Sequence, residues 1–203
     1  MNARLALMKA GTQGATFDDC KACMIRDSAN TNMTSIALGG GSSLSELGPR
    51  EDVEFFFHCL NRLAARTQPA DKFELLTDRL YRRFLRLEEL QPAAELMQQV
   101  RVEFDRISTS SVDWRDAPVD PSTSRLALAK PTLAGVFSKY FELFDHCVKS
   151  AQLNFEEFRG YPGYRFEPVR IVIADQPWLL VDKKRALEDY EALQGLPFWM
   201  QVS

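Results

Sequence analysis

Ser35 to Leu60 reads SIALGGGSSLSELGPREDVEFFFHCL. It begins as an apolar, strand-like segment, crosses three glycines and two serines, and ends in a helical pattern. Glycine-rich loops hold phosphate when their N–H groups converge on an anion beside a helix N-terminus. The P-loop form also requires Lys and then Ser/Thr closing the run, and the dinucleotide form requires G-x-G-x-x-G opening into a helix. Here Gly39, Gly40 and Gly41 are followed by Ser42, Ser43 and Leu44, and the helix start is postponed to Gly48 and Pro49. Proline suits a first helical position. The reading is therefore a plain strand-to-helix connection rather than a phosphate cradle.

Working outward, Val53, Phe56, Phe57, Leu60 and Leu63 recur at helical spacing, with Phe55 and Cys59 widening the stripe, so a largely buried helix is expected over 50–66. A second helix is expected from Asp71, with Glu74 completing a capping-box-like pattern and Leu76, Leu80, Phe84 and Leu87 marking its inner side. A third is expected from about Pro92 to Ile107 through Leu96, Val100 and Phe104. Serines and prolines then break helicity, with a short strand possible over 112–114 and a linker, a weak internal boundary, at 117–124.

After a possible strand RLALA comes the strongest helical pattern, 131–154. Leu133, Val136, Phe137, Tyr140, Phe144, Val148 and Ala151 form its apolar face, with Lys139, Glu142, Asp145, Lys149 and Gln152 opposite. GYPGY is turn chemistry, EPVRIVIA and PWLLVD are strand candidates, and KKRALEDYEAL is a short helix stopped by Gly195. Residues 1–32 read either as a loosely ordered N-terminal arm or as residues upstream of a start at Met33, ahead of one domain expected over 33–203. Helices dominate and strands are scattered, which predicts an α+β, helix-rich single domain with a small, mostly antiparallel sheet.

Composition narrows the function. The 203 residues are 45% hydrophobic and 11% aromatic, enough for a core. Net charge is −3 with both signs dispersed, so no basic field for direct nucleic-acid binding is expected. No run of about 18 apolar residues and no signal-peptide pattern occurs, so no membrane association and a cytoplasmic location are expected. Cys20 and Cys23 form a C-x-x-C without a second ligand pair, and His58-Cys59 and His146-Cys147 point about 100° apart on helices. No metal and no cofactor are expected, and the His-Cys pairs are read as core and boundary residues.

No G-x-S-x-G elbow is present, and nothing at fixed spacing singles out two of the 28 carboxylates. Arg79, Arg82, Arg83 and Arg86 stand on one helical side, either as a fork-rich anion patch or as a solvated face paired with Asp78, Glu88 and Glu89. Asp113, Trp114, Arg115 and Asp116, with Asp120 downstream, set acids around an aromatic. Trp and Arg anchor interfaces, and clustered carboxylates suit a basic partner. Packing of Trp114 on the core is the competing account.

The helix EDVEFFFHCLNRL, the segment FELLTDRLYRRFLRLEELQPAAELMQQVRVEFDRIS and the closing SSVDW resemble cytoplasmic immunity proteins of bacterial contact-dependent growth inhibition and related polymorphic toxin systems. The resemblance spans about Ser35 to Ala117 and rests on apolar pattern, Leu80-Tyr81 and Asp113-Trp114. Arg82 stands where Gly often follows that Tyr. The resemblance implies a non-enzymatic inhibitor, monomer or weak dimer, that binds a cognate toxin domain, commonly a nuclease. Partner-binding candidates by residue type are Arg82, Arg83, Arg86, Asp113, Trp114, Arg115, Asp116 and Asp120. Two other functions fit the residues: a small hydrolase or transferase using the Gly39–Ser43 loop with Asp113 and Asp116, or a homo-oligomeric adaptor pairing through the 131–154 helix.

Overall fold

The glycine run is the turn of a β-hairpin. In the computed structural model, which describes residues 35–69, 71–112, 119–175 and 197–201, β1 (Ser35–Gly40) pairs antiparallel with β2 (Ser43–Pro49). Gly40 lies opposite Ser43, leaving Gly41 and Ser42 as a two-residue turn. Such turns need positive φ at the first central residue, and Gly41 has φ 57°. The connection to the first helix therefore carries a whole strand that serine- and glycine-rich text, low in β-propensity, does not announce. Ser43, Ser45 and Leu47 turn inward while Leu44 and Glu46 face solvent. A β-bulge sits near its end, where Ile36 pairs with Gly48 but Ala37 with Glu46.

β3 (Arg170–Ile173) joins on the other side of β1, again antiparallel, giving the order β2-β1-β3. Its alternation is as expected in that Val169, Ile171 and Ile173 enter the main core. Val172 is buried as well, against its register partner Ala37 on the opposite face.

α1 (Arg50–Ala64) follows β2 directly, with Pro49 as N-cap, one place before the first helical position expected for it. Val53, Phe55, Phe56, Phe57, Cys59 and Leu60 are all buried, as the stripe predicts. Phe56 is the aromatic hub, with ring centroids of Phe57, Phe104, Phe137, Tyr140 and Phe141 between 5.1 and 6.0 Å away.

The second expected helix is real but irregular. Its body is a π-helical segment, Leu75–Leu80, and regular structure stops near Arg83 so that Leu85 can form a bridge with Val169. Leu76, Leu80 and Phe84 are still buried. α2 (Leu87–Asp105) begins five residues before the expected start at Pro92, so this proline stands inside the helix. The reason is local capping: Glu89 accepts the Arg86 N–H at 2.8 Å, and Arg79 donates to the same carboxylate at 3.0 and 3.3 Å. One side chain thus starts α2 and ties it to the π-helical segment.

RLALA is not a strand. It runs as irregular chain with Leu126 and Leu128 packed on the core. The expected 131–154 helix is divided at Phe137 (φ −98°, ψ 17°) into α3 (Leu133–Val136) and α4 (Ser138–Phe158), the latter running four residues past Asn154. All seven expected apolar-face residues are buried. α4 packs against β1, β2 and α2, making it the layer beneath the sheet. A last turn, α5 (Phe198–Gln201), places buried Trp199 edge-on to Tyr81 at 5.7 Å, its Nε1–H donating to the Tyr81 carbonyl at 2.8 Å. The architecture is α+β in one domain with a small antiparallel sheet, as the pattern predicts. The arm at 1–32, the PWLLVD strand and the KKRALEDYEAL helix lie outside the described residues.

Candidate functional site

The glycine turn meets the middle of α4, not a helix N-terminus. A Cβ on Gly40 would lie 2.9 Å from the Cys147 carbonyl oxygen, and one on Gly41 would lie 2.7 Å from that of Ser150. Carbonyls therefore face the run where a phosphate site needs amides. The glycines permit close backbone approach, and Cys147, whose Sγ donates to the Leu38 carbonyl at 3.3 Å, closes the contact from within the core. Burial raises its thiol pKa.

Of the candidate partner-binding residues, Arg82 and Arg83 both approach Asp78, at 3.5 and 3.6 Å. Arg79 is committed to Glu89, and Arg86, half-buried, is the residue from which α2 starts. Arg79, Arg82 and Arg83 thus each have an acidic neighbour. Asp120 is fully exposed in a turn of its own, accepting the Ser122 N–H and hydroxyl at 2.8 Å each, and these bonds lower its pKa. Asp113, Trp114, Arg115 and Asp116 lie outside the described residues, as do Cys20 and Cys23. His58 and His146 are exposed while Cys59 and Cys147 are buried, so each pair straddles a helix boundary. Among the described residues no group of three or more His, Cys, Asp or Glu could hold a metal ion, and no helix is long and apolar enough to cross a membrane. The apolar face of the 131–154 segment is turned into this chain's own core, leaving Lys139, Glu142 and Lys149 outside.

Two surface features have more definite shape. The first is an aromatic projection where α4 ends and the chain turns towards β3. Phe155, Phe158, Tyr161, Tyr164 and Phe166 form a chain of ring contacts with centroids 5.7 to 6.4 Å apart. Phe166 joins it to the main core. Tyr161 is 64% exposed, while Phe155, Phe158, Tyr164 and Phe166 are half-buried. The Arg159 guanidinium lies over Phe155 at 5.9 Å, and the Tyr164 hydroxyl donates to Asn154 Oδ1 at 3.0 Å. GYPGY is indeed a turn, but the aromatics in it and on both sides of it, five within twelve residues, were the signal for a surface feature.

The second is a pocket of about 110 Å³ beside the C-terminal half of α1. Phe55, Leu63, Ile107, Val112 and Leu133 form its apolar lining, with His58, Arg62 and Arg66 among the polar residues around it. Its far wall is held by backbone bonds: the Leu133 N–H donates to the Ile107 carbonyl and the Thr109 N–H to that of Pro131, both at 3.0 Å. Cys59 also lines the pocket. Burial pushes its thiol up to about 12, so it serves as an apolar contact rather than a thiolate nucleophile. The four-residue interval of His58, Arg62 and Arg66 was legible in the sequence, although pairing His58 with Cys59 concealed it.

No family model, no curated protein and no solved structure matches the chain.

Proposed function

We propose that this chain is an immunity protein that binds a cognate toxin domain, a nuclease on the family resemblance, and neutralises it by stoichiometric occlusion. The observation that carries the reading is the aromatic projection. Large rings standing half out of the surface beside arginine have the composition of interface hot spots, where a few Tyr, Trp and Arg side chains supply most of the binding energy. A cluster of partly exposed rings that ends in an exposed Tyr161 is most simply a contact surface. The resemblance over Ser35 to Ala117 supplies the kind of partner, and inhibition by occlusion asks for shape and charge rather than reacting groups.

Co-expression with candidate toxin domains taken from the flanking reading frames is the test. Cells survive and the two proteins purify as a 1:1 complex if the proposal holds. Replacing Phe158 and Tyr161 together by Ala weakens that complex at least about tenfold, the scale of a hot-spot loss, with little change in melting temperature. Cell death with intact protein present, or no association between the purified proteins, ends the proposal.

A further inference from the structure

The pocket beside α1 combines an apolar lining with a basic rim, and its size limits what it can take. At about 110 Å³ it is well under the roughly 300 Å³ at which small-molecule sites begin. An apolar cavity of about 150 Å³ accepts benzene, so this one matches a single branched or aromatic side chain. His58, Arg62 and Arg66 follow one another at four-residue intervals along one side of α1 and the turn after it. Neither Arg62 nor Arg66 has an ion-pair partner among the described residues.

Arg66 also borders a wider groove along α2 that contains Lys72, whose ammonium lies over the Phe73 ring at 5.4 Å. The acid of that groove, Glu103, is engaged by Arg106 at 2.8 Å. Among the described residues, positive charge therefore gathers beside one small apolar recess of a chain whose net charge is −3. Such a local field selects acidic partners and speeds their encounter. The walls are backbone-pinned, which reduces the ordering cost of filling the recess.

We infer that this pocket seats one apolar side chain of a protein partner, presented from an acidic segment whose carboxylates meet Arg62 and Arg66. The inference rests on the protein-binding reading above and adds the chemistry of the partner and the place of its anchor.

The test uses the full-length, ¹⁵N-labelled protein and three synthetic peptides with blocked ends: Asp-Glu-Phe-Asp-Glu, the neutral Asn-Gln-Phe-Asn-Gln, and Asp-Glu-Ala-Asp-Glu. The first shifts the amide signals of residues 55–66 and 107–112 with a Kd near about 1 mM, as expected for a single anchor. The other two bind at least about tenfold more weakly. Arg62→Glu combined with Arg66→Glu removes the shifts; Arg62→Gln with Arg66→Gln, which keeps much of the side-chain stems, does the same if charge reversal unsettles the fold. Equal binding of the neutral peptide, shifts elsewhere, or undiminished binding by the folded variants overturns the inference. So does concentration-dependent dimer formation abolished by the same variants, which would make a second copy the occupant.

In the co-expression experiment the two proposals fail separately. Full protection by the folded double variant sinks the pocket's part while occlusion stands. Absence of association with the wild type sinks occlusion, and the peptide result still decides the pocket.

Discussion

The carboxylate of Asp52, fully buried in the first turn of α1, accepts the backbone N–H of Arg125 at 2.7 Å across 73 residues of sequence. Around it Glu46 pairs with the Arg125 guanidinium and accepts the Ser35 hydroxyl, so the hairpin, α1 and the chain leading to α3 meet at one polar knot. Burial raises the pKa of Asp52, against the opposing pull of the Arg125 N–H.

The folded state holds the Asp52 proton more tightly than the unfolded chain, so its contribution to stability falls as pH rises through the interval above the ordinary carboxylate value. Asp52→Asn keeps an oxygen for the Arg125 N–H and carries no charge. Urea midpoints from about pH 4 to about pH 7 should show the wild type losing stability relative to Asp52→Asn as pH rises. Asp52→Ala, which strips the N–H of its acceptor, should be less stable than Asp52→Asn by about 1–3 kcal/mol. A wild type that gains on Asp52→Asn with rising pH would refute the burial argument.

Tyr140 offers a sharper case. Its hydroxyl is buried without a hydrogen-bond partner among the described residues, and burial, with the charge of Asp52 adding to it, raises its pKa. An unsatisfied buried hydroxyl is a liability of about 1–3 kcal/mol. Tyr140→Phe keeps the ring contacts with Phe56 and Phe137, at 5.4 and 5.9 Å, and removes that liability. Its denaturation midpoint should equal or exceed that of the wild type; a loss above about 1 kcal/mol would mean the hydroxyl is satisfied in solution.

The glycine turn separates packing from ligand binding. Gly41→Ala forces a Cβ into positive φ and against the α4 backbone at 2.7 Å, and should lose about 2–4 kcal/mol of stability. Gly39→Ala meets its nearest neighbour at 3.8 Å and should be nearly neutral. Thermal melts of the two variants compare them directly. Equal melts would remove the close-approach explanation of the run.

The apolar stripes of α1 and of the 131–154 segment were legible because burial on one face imposes a period that local text carries. Every residue assigned to the inner face of 131–154 is buried, and Val169, Ile171 and Ile173 line the core as their alternation predicts. Element ends were less legible. Pro92 looked like a start, yet Glu89, reaching back to Arg86 and across to Arg79, begins α2 a turn and a half earlier. RLALA alternates like a strand but has no paired neighbour among the described residues, and its leucines pack on the core from irregular chain.

For the site, residue type pointed to Arg82, Arg83 and Arg86, and the fold directs Arg82 and Arg83 towards Asp78. The pocket beside α1 draws on three separate stretches, 55–66, 107–112 and Leu133, and no spacing rule joins them.

By itself the sequence determined the α+β class, the helical faces and the buried aromatic content, because hydrophobic periodicity is a local consequence of burial. Tertiary structure alone decided that the glycines form a hairpin turn against α4, that one carboxylate oxygen of Asp52 accepts a backbone N–H 73 residues away, and that basic side chains border one side of a side-chain-sized recess. Those relationships depend on which carbonyls, carboxylates and ring faces arrive together once the chain closes, and distance in space is not written in distance along the chain.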